Sequence, residues 1–249
     1  MWTPRALASE RRHLAGEAWR VVESQSRVAT MKIVDTVSEQ EILESELERS
    51  KPLIPAECAH LHWLLATPFR YAPYPYGSRF RRARQREGCL YAAEQPETAV
   101  AEAAFYLLLF TLDAPGASLP RNPRERSAFS FRYRTAAGLD LCAPPLDADA
   151  GRWADPLDYA ACQALADTAR EAEVDVLRYA SVRDPGTRSN LAVLACRAVT
   201  SKQPVALQTW HLMLRPDRIE AVRGMPRLSL SFLFSDWALK DSRIPDRLP

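Results

Sequence analysis

Residues 89–110 read CLYAAEQPETAVAEAAFYLLLF and join a short apolar run to a longer one. The first five of these residues have the length and composition of a buried strand. Pro96 then stands where a helix accepts proline most readily, in its first turn. We therefore predict a strand over residues 89–93, a turn, and a helix from Pro96 to about Phe110.

Downstream of this unit, helix and strand patterns follow one another. Phe129, Phe131 and Tyr133 alternate with polar residues, as in a strand with one buried face. Asp155 and Pro156 open a predicted helix that runs to about residue 172, with Asp155 as its N-cap. Further strands are predicted over 174–179, 191–199, 205–214, 219–222 and 228–234, with a hairpin turn over 215–218 and a loop over 113–127. The pattern predicts an α+β fold with a mixed β-sheet core and flanking helices.

Residues 1–57 are largely polar and predict an N-terminal helical extension, separate from a main domain over residues 58–249. Ser38 and Glu41 have the spacing of a capping box, which predicts a helix at about residues 39–49. The segment 68–77, PFRYAPYPYG, is predicted to be an ordered loop because its prolines interrupt both helix and ladder. We expect the extension to cap the main domain or to contribute to partner binding.

The composition argues against several classes of protein. The 249 residues carry a formal net charge of +2, so overall charge favours neither a nucleic acid nor a membrane surface as partner. Five scattered cysteines without a C-x-x-C pair argue against a disulfide framework and a structural zinc site. The 8 glycines leave little for a glycine-rich phosphate loop. The scattered cysteines fit a reducing environment, so we expect a cytoplasmic protein. No apolar run reaches the length of a membrane span, about 18 residues.

An arginine-rich loop directly precedes the first predicted strand. Its arginines are Arg79, Arg81, Arg82, Arg84 and Arg86. Such a loop either binds an anion or is simply a solvated basic surface. Arg79 differs from the others because it stands between Ser78 and the apolar Phe80, where the chain enters the core. Its guanidinium could there hold a diphosphate through two parallel hydrogen bonds.

Glu102 lies in the predicted helix with Ala99, Ala103 and Tyr106 on its own face. A carboxylate on an apolar face needs a partner, since burial of an unpaired charge is costly. The small alanines beside it leave room for a ligand. The alternative is a structural glutamate that pairs with one of the arginines, and spacing alone does not separate the two interpretations.

Tyr91 and Ser181 also allow two interpretations each. Tyr91 is either a core aromatic or a ring that stacks on a flat heterocycle. Ser181 opens a turn after a predicted strand, where a hydroxyl ordinarily bonds its own backbone. Its surroundings lack the glycines of an esterase nucleophile elbow. The four histidines form no zinc-ligand pattern, so we expect no metal site.

Taken together, six motifs between about residues 65 and 235 resemble the RES-domain family, which is named for an arginine, a glutamate and a serine. The motifs are Thr67-Pro-Phe-Arg-Tyr, Gly77-Ser-Arg-Phe, Leu90-Tyr-Ala-Ala, Glu97-Thr-Ala-Val-Ala-Glu-Ala, Tyr179-Ala-Ser-Val-Arg-Asp-Pro-Gly and Asn190-Leu-Ala-Val. The resemblance gives Arg79, Glu102 and Ser181 as the named residues, with Tyr91 as an accompanying aromatic. Where family members often have Asn and a Gly-Pro-rich turn, this chain has Arg81-Arg-Ala-Arg-Gln-Arg.

The resemblance implies a fold related to ADP-ribosyltransferases and NAD+ as the substrate, with no metal. It also implies the toxin of a bacterial type II toxin-antitoxin system, neutralised by a cognate Xre-type helix-turn-helix antitoxin. Glu102 would stabilise charge on the ribose while the nicotinamide–ribose bond is cleaved by hydrolysis or phosphorolysis. Arg79 would hold the diphosphate or a ribose oxygen. Tyr91 would flank the nicotinamide, and Ser181 would hydrogen-bond the substrate.

Two other functions stay open from the sequence. One is the transfer of ADP-ribose to a protein side chain at the same site. The other is a non-enzymatic module whose arginine loop binds nucleic acid, with steeply salt-dependent binding that is indifferent to Glu102. The near-neutral chain and the absence of a recognition helix favour the NAD+-consuming enzyme. No direct contact with nucleic acid is then expected outside an antitoxin complex.

Overall fold

The computed structural model describes residues 2–24, 33–70, 74–113, 120 and 122–245. Within these ranges the helices are α1 (Pro4–Ser9), α2 (Val37–Ser50), α3 (Trp63–Ala66), α4 (Pro96–Leu112), α5 (Ala150–Trp153), α6 (Ala160–Glu171) and α7 (Phe234–Ala238). The strands are β1 (Arg12–Glu23), β2 (Leu90–Ala93), β3 (Arg124–Asp140), β4 (Val176–Ala180), β5 (Ser189–Val193), β6 (Leu207–Leu214), β7 (Arg218–Arg223) and β8 (Leu228–Leu233). The predicted mixed α+β fold is confirmed.

The strands form one sheet in the order β1-β2-β5-β4-β3-β6-β7-β8, and β1 also pairs with β3. This extra pairing closes β1, β2, β5, β4 and β3 into a ring. β3 belongs to both the ring and the rest of the sheet because its 17 residues pair with β1 along most of their length, with β4 at one end and with β6 at the other. β6, β7 and β8 continue from it as an antiparallel meander, with the predicted hairpin turn between β6 and β7.

Two strands of the ring, β4 and β5, are buried on both faces. On β4 and β5, Val176 and Leu191 join a cluster that also contains Leu65 of α3. Their neighbours Leu177 and Ala192 point the opposite way and join a second cluster with residues of α6. Because successive side chains of a strand alternate between faces, both faces need cover. This explains why these strands read as continuous apolar runs in the sequence.

α4 lies along the sheet and carries Glu102. It begins at Pro96, where a missing N–H costs nothing because the first turn has no acceptor for it. Val100, Phe105 and Leu108 are fully buried in a cluster with residues of β6, β7, β8 and α7. This packing fixes the rotation of α4 about its axis, and therefore the direction in which Glu102 projects.

The prediction of a helical extension over residues 1–57 is wrong for its first half. Arg12–Glu23 form β1, which lies inside the sheet and pairs with β3 over its whole length. No local pattern marks this strand, because its stability comes from partners far along the chain, such as Phe129 opposite Arg20.

Among the described helices, none is long and apolar enough to cross a membrane.

The predicted helix at residues 39–49 is confirmed as α2, although its cap differs from the prediction. Thr36 Oγ1 accepts a hydrogen bond from the N–H of Glu39, and the Glu39 side chain accepts one from the N–H of Thr36. The capping box therefore starts two residues before Ser38. None of the described residues of α2 is buried.

The helix predicted from Asp155 begins only at Ala160. Asp155 instead accepts hydrogen bonds from the backbone N–H groups of Leu157 and Asp158, which closes a separate turn ahead of α6. A short acidic side chain suits both a helix cap and such a turn, so the sequence could not separate them.

Two predicted loops lie partly outside the described residues. β3 starts at Arg124, inside the loop predicted over 113–127, and residues 114–119 and 121 are not described. The loop predicted over 68–77 is entered through a 3-10 turn at Thr67–Phe69, and residues 71–73 are not described.

Leu177→Ala and Leu207→Ala make the same change at a buried and an exposed strand position. Leu177 on β4 is fully buried, whereas Leu207 on β6 is 70% exposed. We expect Leu177→Ala to lower the free energy of unfolding by roughly 2–5 kcal/mol, because it leaves a cavity. Leu207→Ala should change it by less than about 0.5 kcal/mol. Urea unfolding followed by circular dichroism measures both, and equal losses would contradict this description of the core.

Candidate functional site

A cavity of about 1300 Å³ lies beside α4, with walls from β1, β2 and the arginine loop. Arg79, Tyr91 and Glu102, three of the four predicted site residues, line it. Pockets for drug-sized ligands are typically about 300–1,000 Å³. The cavity can therefore hold a larger ligand, such as two linked nucleosides.

Glu102 presents one fixed and one available carboxylate oxygen. Its Oε1 accepts hydrogen bonds from Ser181 Oγ at 2.7 Å and from Asn190 Nδ2 at 2.6 Å. Among the described residues none donates to Oε2, and no arginine forms an ion pair with this side chain. Glu102 therefore does not form the structural ion pair with an arginine that the sequence left open, at least among the described residues. The carboxylate is oriented by two neutral donors and keeps Oε2 for a ligand.

Ser181 lies behind Glu102 and does not line the cavity. It follows β4, and its Oγ accepts hydrogen bonds from the N–H groups of Arg183 at 3.3 Å and Asp184 at 3.1 Å while it donates to Glu102. The side chain is only 4% exposed. The structure therefore differs from the expectation that Ser181 hydrogen-bonds a substrate directly. Its geometry is that of a residue that positions the carboxylate.

The turn that carries Ser181 is fastened to the first turn of α4. Asp184 accepts hydrogen bonds from Thr98 Oγ1 at 2.6 Å and from Arg188 at 2.6 and 2.8 Å. Burial alone would raise the pKa of Asp184, but the hydrogen bonds from Arg188 and Thr98 hold it below the ordinary value. The hydrogen bond between Thr98 and Asp184 therefore joins the turn that carries Ser181 to α4, which carries Glu102.

Tyr91 lies on β2 with its ring in the cavity wall and its hydroxyl turned toward the arginine loop. The hydroxyl accepts a hydrogen bond from the N–H of Phe80 at 2.9 Å and lies 2.8 Å from Ser78 Oγ. Burial raises the pKa of Tyr91 well above its ordinary value, so the hydroxyl stays protonated at neutral pH. Tyr91 therefore anchors the segment around Arg79 and offers its ring to a ligand.

Arg79 lines the cavity next to Tyr91 and is 9% exposed. Its Nη1 donates to the carbonyl of Trp153 at 2.8 Å, and its guanidinium lies 4.6 Å from the centroid of the Tyr159 ring. A guanidinium has five N–H donors, so this arrangement fixes the side chain and leaves donors for an anion.

Arg20 and Asn190 line the cavity and were not predicted. Arg20, on β1, donates from Nη1 to the carbonyl of Tyr91 at 2.8 Å and has no carboxylate partner among the described residues. Burial lowers the pKa of Arg20, as expected for a cation without a counter-charge. No local sequence pattern points to Arg20, because the residues around it resemble a polar helix and yet form β1. Asn190 begins the motif Asn190-Leu-Ala-Val, and its amide is a donor that could have been paired with the Glu102 carboxylate.

The cavity is basic although the chain is nearly neutral. Its lining includes six arginines and two glutamates. They are Arg20, Arg79, Arg124, Arg126, Arg183, Arg243, Glu23 and Glu102. Asp241 pairs with Arg183 at 2.9 Å and with Arg243 at 2.6 Å from behind the wall, which still leaves an excess of positive charge. A cleft of one sign attracts ligands of the opposite sign, so this cavity favours an anion.

The other arginines of the loop do not line the cavity. Arg82 pairs with Asp167 at 2.5 Å, and the Arg81 guanidinium lies over the ring of Tyr74. Of the five arginines in this loop, the structure brings Arg79 alone to the wall of the cavity.

Within the described ranges, no group of three or more His, Cys, Asp or Glu side chains could hold a metal ion.

The chain matches a family model and is distantly similar to solved structures. The family model of the RES domain matches residues 54–215. No curated protein matches the chain. Among solved structures, a chain from the crystal structure of the M. tuberculosis MbcT-MbcA toxin-antitoxin complex is similar, with 13% identity and a TM-score of 0.47. That match covers 82% of this chain and 89% of the other.

Asp184→Asn should weaken the fold in a pH-dependent manner. A carboxylate whose pKa is lower in the folded than in the unfolded chain stabilises the fold above its unfolded pKa, about 3.9. This contribution is lost as the pH falls through the folded pKa. We expect Asp184→Asn to cost about 1–2 kcal/mol at pH 7, a modest value because Arg188 is 40% exposed and partly screened.

Urea unfolding at pH 7 and at pH 3 measures this effect. The difference between wild type and Asp184→Asn should shrink at the lower pH. Asp147→Asn, at an exposed position, is the matched control and should differ little from wild type at either pH. A loss for Asp184→Asn that is equal at both values would show that the ionised carboxylate is not what holds the turn.

Proposed function

The chain belongs to the RES-domain family, whose model matches residues 54–215, and from this premise we propose that it consumes NAD+ by cleaving the nicotinamide–ribose bond. We also propose that it is the toxin of a bacterial type II toxin-antitoxin system. The observation that carries the enzymatic proposal is Glu102, whose oriented carboxylate faces a large basic cavity. The proposal includes a relationship of the sheet core to the ADP-ribosyltransferases.

Cleavage of NAD+ suits a carboxylate in this position. When the bond between nicotinamide N1 and ribose C1′ breaks, its electron pair leaves with the nicotinamide, and the ribose develops oxocarbenium character. A fixed negative charge beside that ribose stabilises the transition state more than the ground state. Glu102 Oε2 would supply this charge or accept a hydrogen bond from a ribose hydroxyl. The oxygen of water or of phosphate then bonds to C1′.

The surroundings of Glu102 would supply orientation. Ser181 and Asn190 hold Oε1, so the carboxylate does not have to reorganise during the reaction. The ring of Tyr91 would flank the nicotinamide. Cationic nicotinamide is a good leaving group, so positioning and electrostatics can provide most of the acceleration.

The arginines of the cavity would bind the diphosphate. Arg20 is half-buried without a described counter-charge, and Arg79 keeps unused donors after its contact with Trp153. Guanidinium groups bind phosphate oxygens through parallel hydrogen bonds. An NAD+ diphosphate between Arg20 and Arg79 would satisfy both cations and bring the adjoining ribose toward Glu102.

The proposed partner is a cognate antitoxin of the Xre helix-turn-helix type, which would neutralise the toxin. The family resemblance supports this partner. Arg79, Tyr91 and Glu102 line one accessible cavity, so a bound protein could block it. Bacterial growth tests this part of the proposal. It is compared between cells that express the protein alone and cells that co-express the antitoxin.

Glu102→Gln should abolish most of the activity while the fold is kept. Gln replaces the negative charge with a neutral amide of similar size, so the loss of electrostatic stabilisation should lower kcat by about 100-fold or more. Release of nicotinamide from NAD+ by the purified, antitoxin-free protein measures this. Glu171→Gln, the same change at an exposed position at the end of α6, is the matched control and should behave as wild type.

Two outcomes would refute the proposal. One is wild-type protein that releases no nicotinamide, and the other is equal release by wild type and Glu102→Gln. Radiolabelled NAD+ separates the acceptors, because free ADP-ribose or its phosphate ester indicates net degradation, whereas label on protein indicates ADP-ribosyl transfer. Growth arrest by wild type but not by Glu102→Gln would link the activity to toxicity.

A further inference from the structure

The cavity extends well beyond Glu102 along α4 and β1. At its far end it is lined by Phe110, Thr111, Glu23, Arg124 and Arg126. Glu102 and Thr111 are nine residues apart on α4, which corresponds to roughly 13 Å along the helix axis. Neither the sequence motifs nor the proposed bond cleavage uses this end. It is, however, where the second nucleoside of a dinucleotide would lie if the reacting ribose is at Glu102.

The aromatic side chains of this region suit a purine base. Phe110 lines the cavity and is 76% exposed, although it belongs to a helix whose other side is fully packed. Trp19 of β1 lines the same cavity. Exposed aromatic rings in a basic groove stack on nucleobases without reading a particular base. Phe110 therefore offers a platform for the adenine half.

Two arginines on one strand give this end a particular charge. Arg124 and Arg126 are separated by one residue on β3, so their side chains project to the same face. Arg126 pairs with Glu23, its partner across the β1–β3 ladder, at 3.2 Å, and the Glu23 side chain is 86% exposed. The Arg124 side chain has no hydrogen bond or ion pair among the described residues. The positive charges of Arg124 and Arg126 thus lie beside a single carboxylate, that of Glu23, which is largely exposed to solvent.

A nucleoside diphosphate alone does not require this charge, because Arg20 and Arg79 already line the cavity beside Tyr91. In Rossmann-type dinucleotide sites, an arginine near the adenosine ribose accommodates the 2′-phosphate of NADP+. A phosphate monoester carries about −1.5 to −2 charges at neutral pH. It would bind Arg124 and Arg126 through charge-assisted hydrogen bonds, with Glu23 turning toward solvent.

We propose that Arg124 and Arg126 form a subsite for a phosphoryl group on the adenosine ribose, so that the protein takes NADP+ at least as well as NAD+. This inference rests on the proposed function and goes beyond it by naming the phosphorylated dinucleotide as a substrate. Arg20, in the middle of the cavity, serves the diphosphate that both dinucleotides share.

The test compares kcat/KM for nicotinamide release from NADP+ and from NAD+. For wild type the ratio of the two values should be one or more. Arg124→Gln and the Arg124→Gln/Arg126→Gln double variant should lower that ratio by about 10- to 100-fold. Arg20→Gln should lower both values and leave the ratio unchanged. Arg132→Gln, at an exposed position elsewhere on β3, is the matched control and should alter neither.

A binding measurement separates this inference from the proposed function. Calorimetric titration of the Glu102→Gln protein with ADP-ribose and with 2′-phospho-ADP-ribose requires no turnover. Tighter binding of the phosphorylated ligand that is lost with Arg124→Gln supports the subsite, even if neither dinucleotide is cleaved. If NAD+ is cleaved but the phosphorylated ligand binds more weakly, or its affinity is indifferent to Arg124, the subsite is refuted and the proposed function stands.

Discussion

The site depends on a single carboxylate oxygen that accepts two hydrogen bonds. Glu102 Oε1 receives Ser181 Oγ at 2.7 Å and Asn190 Nδ2 at 2.6 Å, and these three residues come from α4, from the turn after β4 and from β5. A carboxylate on an apolar helix face would be costly without such donors. The contact therefore stabilises the charge, fixes its direction and joins the helix to two central strands at one point.

The sequence predicts the parts of this arrangement that are local. The strand and helix around residues 89–110 and the turn at Ser181 each follow from a local pattern. The selection of Glu102 as a site residue rests on the family resemblance, because spacing alone left two interpretations of it open. What Ser181 contacts does not follow, because its partner depends on how α4 packs on the sheet. Its hydroxyl donates to Glu102 behind the cavity wall, where direct contact with a substrate was expected.

Arg20 shows a second limit of local patterns. Its strand closes the ring by pairing with β3, and residues 12–23 carry no alternation that distinguishes them from a polar helix. The family match begins at residue 54, so the family comparison does not include Arg20 either. The pairing of β1 with β3 brings the Arg20 guanidinium to the carbonyl of Tyr91. The basic character of the cavity is likewise invisible in a chain with a net charge of +2.

A crystal structure of the Glu102→Gln protein with NAD+ bound would show whether this side chain faces the reacting ribose. We expect the nicotinamide ribose to lie within hydrogen-bonding distance of the side chain at position 102, and the diphosphate to contact Arg20 or Arg79. Ser181 should remain behind that side chain, without contact to the dinucleotide. A dinucleotide bound outside the cavity, or one whose nicotinamide ribose faces away from position 102, would contradict the account.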